Sequence, residues 1–189
     1  VYMATLNSSG INSNFVQLNS LPKKLSQGAA IIIANKIYFA GGFTEVNGGG
    51  ISDINDKIYV TTINPDGTIG SWAQVGVLPK ALSGFGMVTN GNNLVVIGGR
   101  DANGNDQSGT YTAPVNPDGS IDSWTATNSL PQPIERGSIL KVGSKVVSLG
   151  GLSNGTILEK VYYADLMNDG TIGSWQASIH NLPQPLCCG

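Results

Sequence analysis

The chain has 189 residues, of which ten are Lys or Arg and twelve Asp or Glu, a charged share of 12% against roughly 25% in an ordinary soluble domain. A formal net charge of −2 removes the electrostatic footprint that nucleic acid demands and the polybasic patch that an anionic membrane surface demands. No apolar run approaches the roughly 18 residues of a membrane-spanning helix, so neither nucleic acid nor membrane insertion is expected of it.

From the N-terminus, Val1-Tyr2-Met3 reads as a strand, and Phe15 stands six residues before Leu21-Pro22. A unit then begins. Ala29 to Ile33 is an apolar first strand, Asn35-Lys36 a tight turn, and Ile37 to Ala40 a second strand that runs into Gly41-Gly42. After a loop, Lys57 to Thr62 forms a third strand carrying Tyr59. Asn64-Pro65-Asp66-Gly67 turns the chain toward a fourth strand carrying Trp72. Proline at the first central position and glycine at the last fit a type I turn closed by a glycine bulge. Leu78-Pro79 opens a second unit with a turn at Asn92-Asn93, the run Leu94 to Ile97, Gly98-Gly99, Tyr111 in Thr110 to Ala113, Asp118-Gly119 and Trp124. Leu130-Pro131 opens a third with Ser144-Lys145, Lys145 to Leu149, Gly150-Gly151, Tyr162 in Val161 to Ala164, Asp169-Gly170 and Trp175. Leu182-Pro183 opens another. Continuous β-branched runs bounded by glycine are strands buried on both faces, and no window of eleven residues shows a helical period. The chain is all-β.

The repeat is the governing fact. The Leu-Pro pairs are spaced by 57, 52 and 52 residues and the Gly-Gly pairs by 57 and 52. INPDGTIGSW at Ile63 to Trp72 returns as VNPDGSIDSW at Val115 to Trp124 and as LMNDGTIGSW at Leu166 to Trp175. Four short strands per unit with glycine pairs and recurring aromatics mark a β-propeller blade. The pattern of Gly-Gly after the second strand, Tyr in the third (Tyr59, Tyr111, Tyr162) and Trp in the fourth (Trp72, Trp124, Trp175) resembles the kelch-repeat family, within the galactose-oxidase-type propeller superfamily. The resemblance covers essentially the whole chain. It implies four-stranded antiparallel blades, about 3.5 in this chain, arranged as a partial ring. Where the family carries an Arg and a Gly-His after Leu-Pro, this chain reads LPKKLSQG, LPKALSGFG and LPQPIERG.

The units give a half blade over 1–20, blades over 21–77, 78–129 and 130–181, and the start of a next blade over 182–189. No signal peptide or initiator Met is present, which reads as a mature or partial chain. Propellers close with four to eight blades, so the remaining blades are expected in the same parent chain, or a second copy completes the ring. Trp and Tyr would fill the space between blades, and the glycine pairs would let backbones approach near the axis. Cys187 and Cys188 read as two small buried residues at the start of a strand, or as partners for a thiol outside the chain.

The strand order divides the loops between two rims. One carries the tight turns and the Asp-Gly turns. The other carries the Leu-Pro segments and the variable loops Phe43–Asp56, Arg100–Gly109 and Leu152–Lys160, the elements free to specialise on a rigid scaffold. Candidate binding residues on this rim are Arg100, Asp101, Arg136, Glu45, Asp53 and Asp56, with Lys23, Lys24 and Lys80 nearby. The acidic trio Glu45, Asp53 and Asp56 matches no EF-hand spacing, so no metal is assigned. His180 is the single histidine. A copper oxidase resembling galactose oxidase would need two His, two Tyr and a cross-linked Cys, and glycoside hydrolysis needs two opposed carboxylates. No catalytic residue and no cofactor are expected.

The expected function is therefore a non-enzymatic interaction scaffold binding a protein or glycan through one rim, secreted or at a cell or virion surface. Its competitors are a fragment of a carbohydrate-active enzyme with catalytic residues elsewhere, and a structural spacer in a surface assembly.

Overall fold

A computed structural model describes residues 1–11, 14–45 and 51–188. Among them every regular element is a strand or a turn, and none is a helix. Three four-stranded antiparallel meanders follow one another. The first sheet is Ala29–Ile33, Lys36–Ala40, Lys57–Thr62 and Ala73–Val77; the second is Gly86–Asn90, Asn93–Ile97, Thr110–Pro114 and Thr125–Thr127. The third is Ser138–Val142, Lys145–Leu149, Val161–Asp165 and Gln176–Ala177. Before them, Tyr2–Met3 pairs with Val16–Gln17 as a two-stranded sheet. First strands of neighbouring sheets lie against each other, which puts them at the axis and the tryptophan-bearing ends outside. This is a partial β-propeller of kelch-like blades.

The core lies between sheets rather than within any one of them. Along Leu94–Ile97 successive side chains point to opposite faces. Leu94 and Val96 pack with Tyr38, Ala40, Ile58 and Phe85 toward the first sheet. Val95 and Ile97 pack with Leu130, Val146, Tyr162 and Ile172 toward the third. A strand buried on both faces has no polar face, and this explains why the run is unbroken hydrophobe.

The tight turns sit one residue earlier than the sequence suggests. Ile33 pairs with Lys36, Asn90 with Asn93 and Val142 with Lys145, leaving Ala34-Asn35, Gly91-Asn92 and Gly143-Ser144 as the loops. The first residue of each is left-handed, with φ of 52°, 59° and 60°; this is the demand of a type II′ hairpin turn. The Asp-Gly turns form as expected. Gly67 N–H donates to Asn64 O at 2.9 Å, Asn64 N–H to Thr68 O at 2.8 Å, and Gly67 has φ 83°.

The tryptophans stand just before the paired residues of the fourth strands, not inside them. Each indole Nε1–H donates to a backbone carbonyl of the preceding blade: Trp72 to Asn19 at 3.2 Å, Trp124 to Val77 at 2.7 Å and Trp175 to Asn128 at 3.0 Å. Tyr59 and Tyr162 are buried and Tyr111 half-buried. A further phenol, Tyr38, crosses blades by donating to Gly119 O at 3.2 Å; burial first, then the Asp118 carboxylate, pushes its pKa up, which keeps the proton on it.

All six residues of the glycine pairs have positive φ. In each pair the second N–H donates to the next blade: Gly42 to Leu82 O at 2.9 Å, Gly99 to Ile134 O at 2.8 Å and Gly151 to Leu186 O at 2.8 Å. A Cβ on Gly98 would stand 2.5 Å from Ile134 O. The pairs are joints between blades, which only glycine fits.

Candidate functional site

The rim is assembled by a repeated backbone contact. The residue five positions after each Leu-Pro leucine pairs with the residue that follows the glycine pair: Ser26 with Phe43, Ser83 with Arg100, and Glu135 with Leu152. Leu-Pro segments and variable loops are thereby held together at one end of the arc. The loops are also more ordered than the word suggests. Phe43–Glu45 pairs with Ile51–Ile54, and Leu152–Ser153 with Thr156–Ile157 across Asn154-Gly155, both left-handed as a type I′ turn requires.

Arg100 and Arg136 come together around Glu135, a residue that the sequence did not single out. The Glu135 side chain is only 5% exposed. Its Oε1 accepts from Arg100 Nη1 at 3.4 Å, and its Oε2 lies 3.5 Å from Arg136 Nε without a hydrogen bond. Arg136 Nε donates instead to Gln27 Oε1 at 3.1 Å. A buried carboxylate requires such partners, and the two guanidinium groups keep 39% and 28% of their side chains exposed. The signal was available: aligned on Leu-Pro, the Glu135 position holds Ser26, Ser83 and Cys187 in the other units.

The other candidates separate. Asp53, exposed, lines one open groove of about 390 Å³ together with Arg100, Asp101 and Arg136. Asp101 organises its own loop there, since Oδ1 accepts from the N–H groups of Asn103 and Asn105 at 2.9 and 3.0 Å, and Oδ2 from Gln107 Nε2 at 2.9 Å. A second groove of about 400 Å³ runs between the loops of the second and third blades, past Arg100, Asp106, Glu135, Arg136 and Asn154. Asp56 stands apart, paired with Lys57 Nζ at 2.9 Å. The side chain of Glu45 and the glycine run Gly48-Gly49-Gly50 lie outside the described residues. No group of three or more His, Cys, Asp or Glu placed to hold a metal ion forms among the described residues.

Arg136 also reaches the axis. Gln27, Gly84, Arg136 and Cys188 occupy one repeat position, all left-handed with φ from 52° to 64°. They form a ladder in which Gly84 N–H donates to Gln27 O at 2.8 Å, Arg136 N–H to Gly84 O at 2.7 Å and Cys188 N–H to Arg136 O at 3.1 Å. These residues line an axial mouth of about 240 Å³. This corrects the expectation for the cysteines. Cys188 is exposed and Cys187 half-buried, and neither lies in a strand. A hydrogen bond with the Cys188 thiol is the largest of the effects that push the Cys187 pKa up, so it stays a thiol.

No family model matches the chain. Over 150 residues it is 23% identical to beta-scruin of Limulus polyphemus, a match covering 75% of this chain and 15% of that protein. The solved structure of YjhT superposes with a TM-score of 0.72 at 13% identity, covering 93% of this chain and 58% of that one. Both similarities agree with a kelch-like propeller, and the chain spans only a part of each of these proteins.

Proposed function

We propose that the chain is a non-enzymatic interaction scaffold whose loop rim binds a protein or glycan surface. The observation that carries this is the position of Arg136, which lines the axial mouth and both rim grooves and is held beside Arg100 by one buried carboxylate. Loops on a rigid scaffold are where recognition is built, and here the scaffold places two oriented guanidinium groups among them. Two of the rim carboxylates are engaged in structure, Asp101 in its loop and Glu135 beside the arginines. His180 is exposed and lies in the last Leu-Pro approach, away from these residues. Low charge and an Asn-, Gly-, Ser- and Thr-rich composition support placement at an outer surface. A glycan array and a panel of displayed proteins, probed with the wild-type chain and with an Arg100→Glu, Arg136→Glu variant, test the reading. Specific wild-type signals should vanish in the variant. Signals that persist, or none from the wild type, overturn it.

A further inference from the structure

We infer that the paired grooves at Arg100, Glu135 and Arg136 take a neutral, hydroxyl-rich saccharide; this rests on the rim reading above and narrows it to one ligand class. Three features point the same way.

The first is the chemistry of the walls. Beside the arginines stand Asp53, Asp106, Asn103, Asn105 and Asn154, so carboxylates, amides and guanidinium groups dominate. Protein hot spots are anchored by Trp, Tyr or other large side chains in desolvated pockets, and no aromatic residue lines these two grooves among the described residues. A sugar hydroxyl is at once donor and acceptor. It can accept from an arginine fork while donating to a carboxylate such as Asp53 or Asp106, and the amides serve either way.

The second is charge. Four carboxylates, Asp53, Asp101, Asp106 and Glu135, face two guanidinium groups. A polyanionic ligand meets that surplus, whereas a neutral polyol does not.

The third is preorganisation. Buried Glu135 accepts from Arg100 Nη1, Gln27 Oε1 accepts from Arg136 Nε, and the Asn154 backbone N–H donates to Asp106 Oδ2 at 2.6 Å, so these groups are placed before a ligand arrives. Rigid donors lose less entropy on binding than free side chains. Glu135 is thus a positioning residue.

Calorimetric titration of the intact chain with manno-, gluco- and galacto-oligosaccharides, and with sialylated and sulfated oligosaccharides, tests this. At least one neutral probe should bind saturably, and Arg100→Met or Arg136→Met should weaken it about tenfold, the scale of one charged hydrogen bond. Glu135→Gln should weaken it similarly in the wild type and less in an Arg100→Met background, a coupling that a general loss of structure would not produce. Unchanged circular dichroism and melting temperature of Arg100→Met exclude unfolding as the cause. Binding confined to acidic probes, or to a protein ligand, that still depends on the arginines overturns the saccharide inference and leaves the rim reading standing. Binding indifferent to both arginines overturns both.

Discussion

Ala34 occupies the first position of a two-residue hairpin turn where the second and third blades place Gly91 and Gly143. A left-handed conformation costs a residue with Cβ roughly 1–2 kcal/mol. Glycine returns part of that gain through its freer unfolded chain, about 0.4–1 kcal/mol. Ala34→Gly should therefore stabilise the protein by about 0.5–1 kcal/mol, read as a higher urea midpoint at unchanged slope. Asn35-Lys36 reads as the turn in sequence because Asn and Lys are the polar residues there. The position that the geometry constrains is the alanine before them, which carries no turn signal of its own.

The Asp-Gly turns were legible in full, since Asp and Gly, with Pro before them in the first two, each occupy the position that their backbone chemistry favours. The structure adds what the aspartates do. Asp66, Asp118 and Asp169 each accept on Oδ1 from the hydroxyl and N–H of the residue two ahead, Thr68, Ser120 and Thr171, at 2.6–3.0 Å. Those hydroxyl bonds, followed by the N–H bonds, hold all three carboxyls below their ordinary value of 3.8. A folded-state pKa below the unfolded one contributes stability that is present above the unfolded value and is lost as pH falls through the folded value. Between about pH 5 and about pH 2 the wild type should lose more melting temperature than a variant carrying Asp66→Asn, Asp118→Asn and Asp169→Asn. Equal losses would show that these turns do not sense pH. At the same scale, Asn154-Gly155 carries a hairpin signal although the stretch Leu152–Lys160 reads as a variable loop, and the tryptophans' exact place carries no local signal. An indole that bonds the preceding blade must stand where its own strand has not yet begun to pair, and that follows from the neighbour rather than from local sequence.

For the molecule, the blade order and the axis follow from the repeat, because sheets that are apolar on both faces have to stack. The rim cluster was half legible. Arg100 and Arg136 announced themselves as rim charges in a chain only 12% charged, while Glu135 departs from the repeat at its position but owes its burial to the fold rather than to local sequence. The interblade joints predict how the arc responds to damage. Gly98→Ala meets a φ of 66° and the Ile134 carbonyl, while Gly91→Ala meets a φ of 59° and open space. Gly91→Ala should cost about 1 kcal/mol. Gly98→Ala should cost about 3 kcal/mol or more, because overpacking adds to the backbone term. It should also broaden the guanidinium unfolding curve followed by tryptophan fluorescence, as the second and third blades cease to melt together.

At the positions shared by Gln27, Gly84, Arg136 and Cys188, a main-chain hydrogen bond makes each link from one module to the next, and the Arg136 side chain adds one bond to Gln27. What each module shows at the central opening is consequently exchangeable. An amide, a hydrogen atom, a guanidinium and a thiol already stand in equivalent slots, so drift can rewrite the opening letter by letter while the backbone ladder that holds it stays the same.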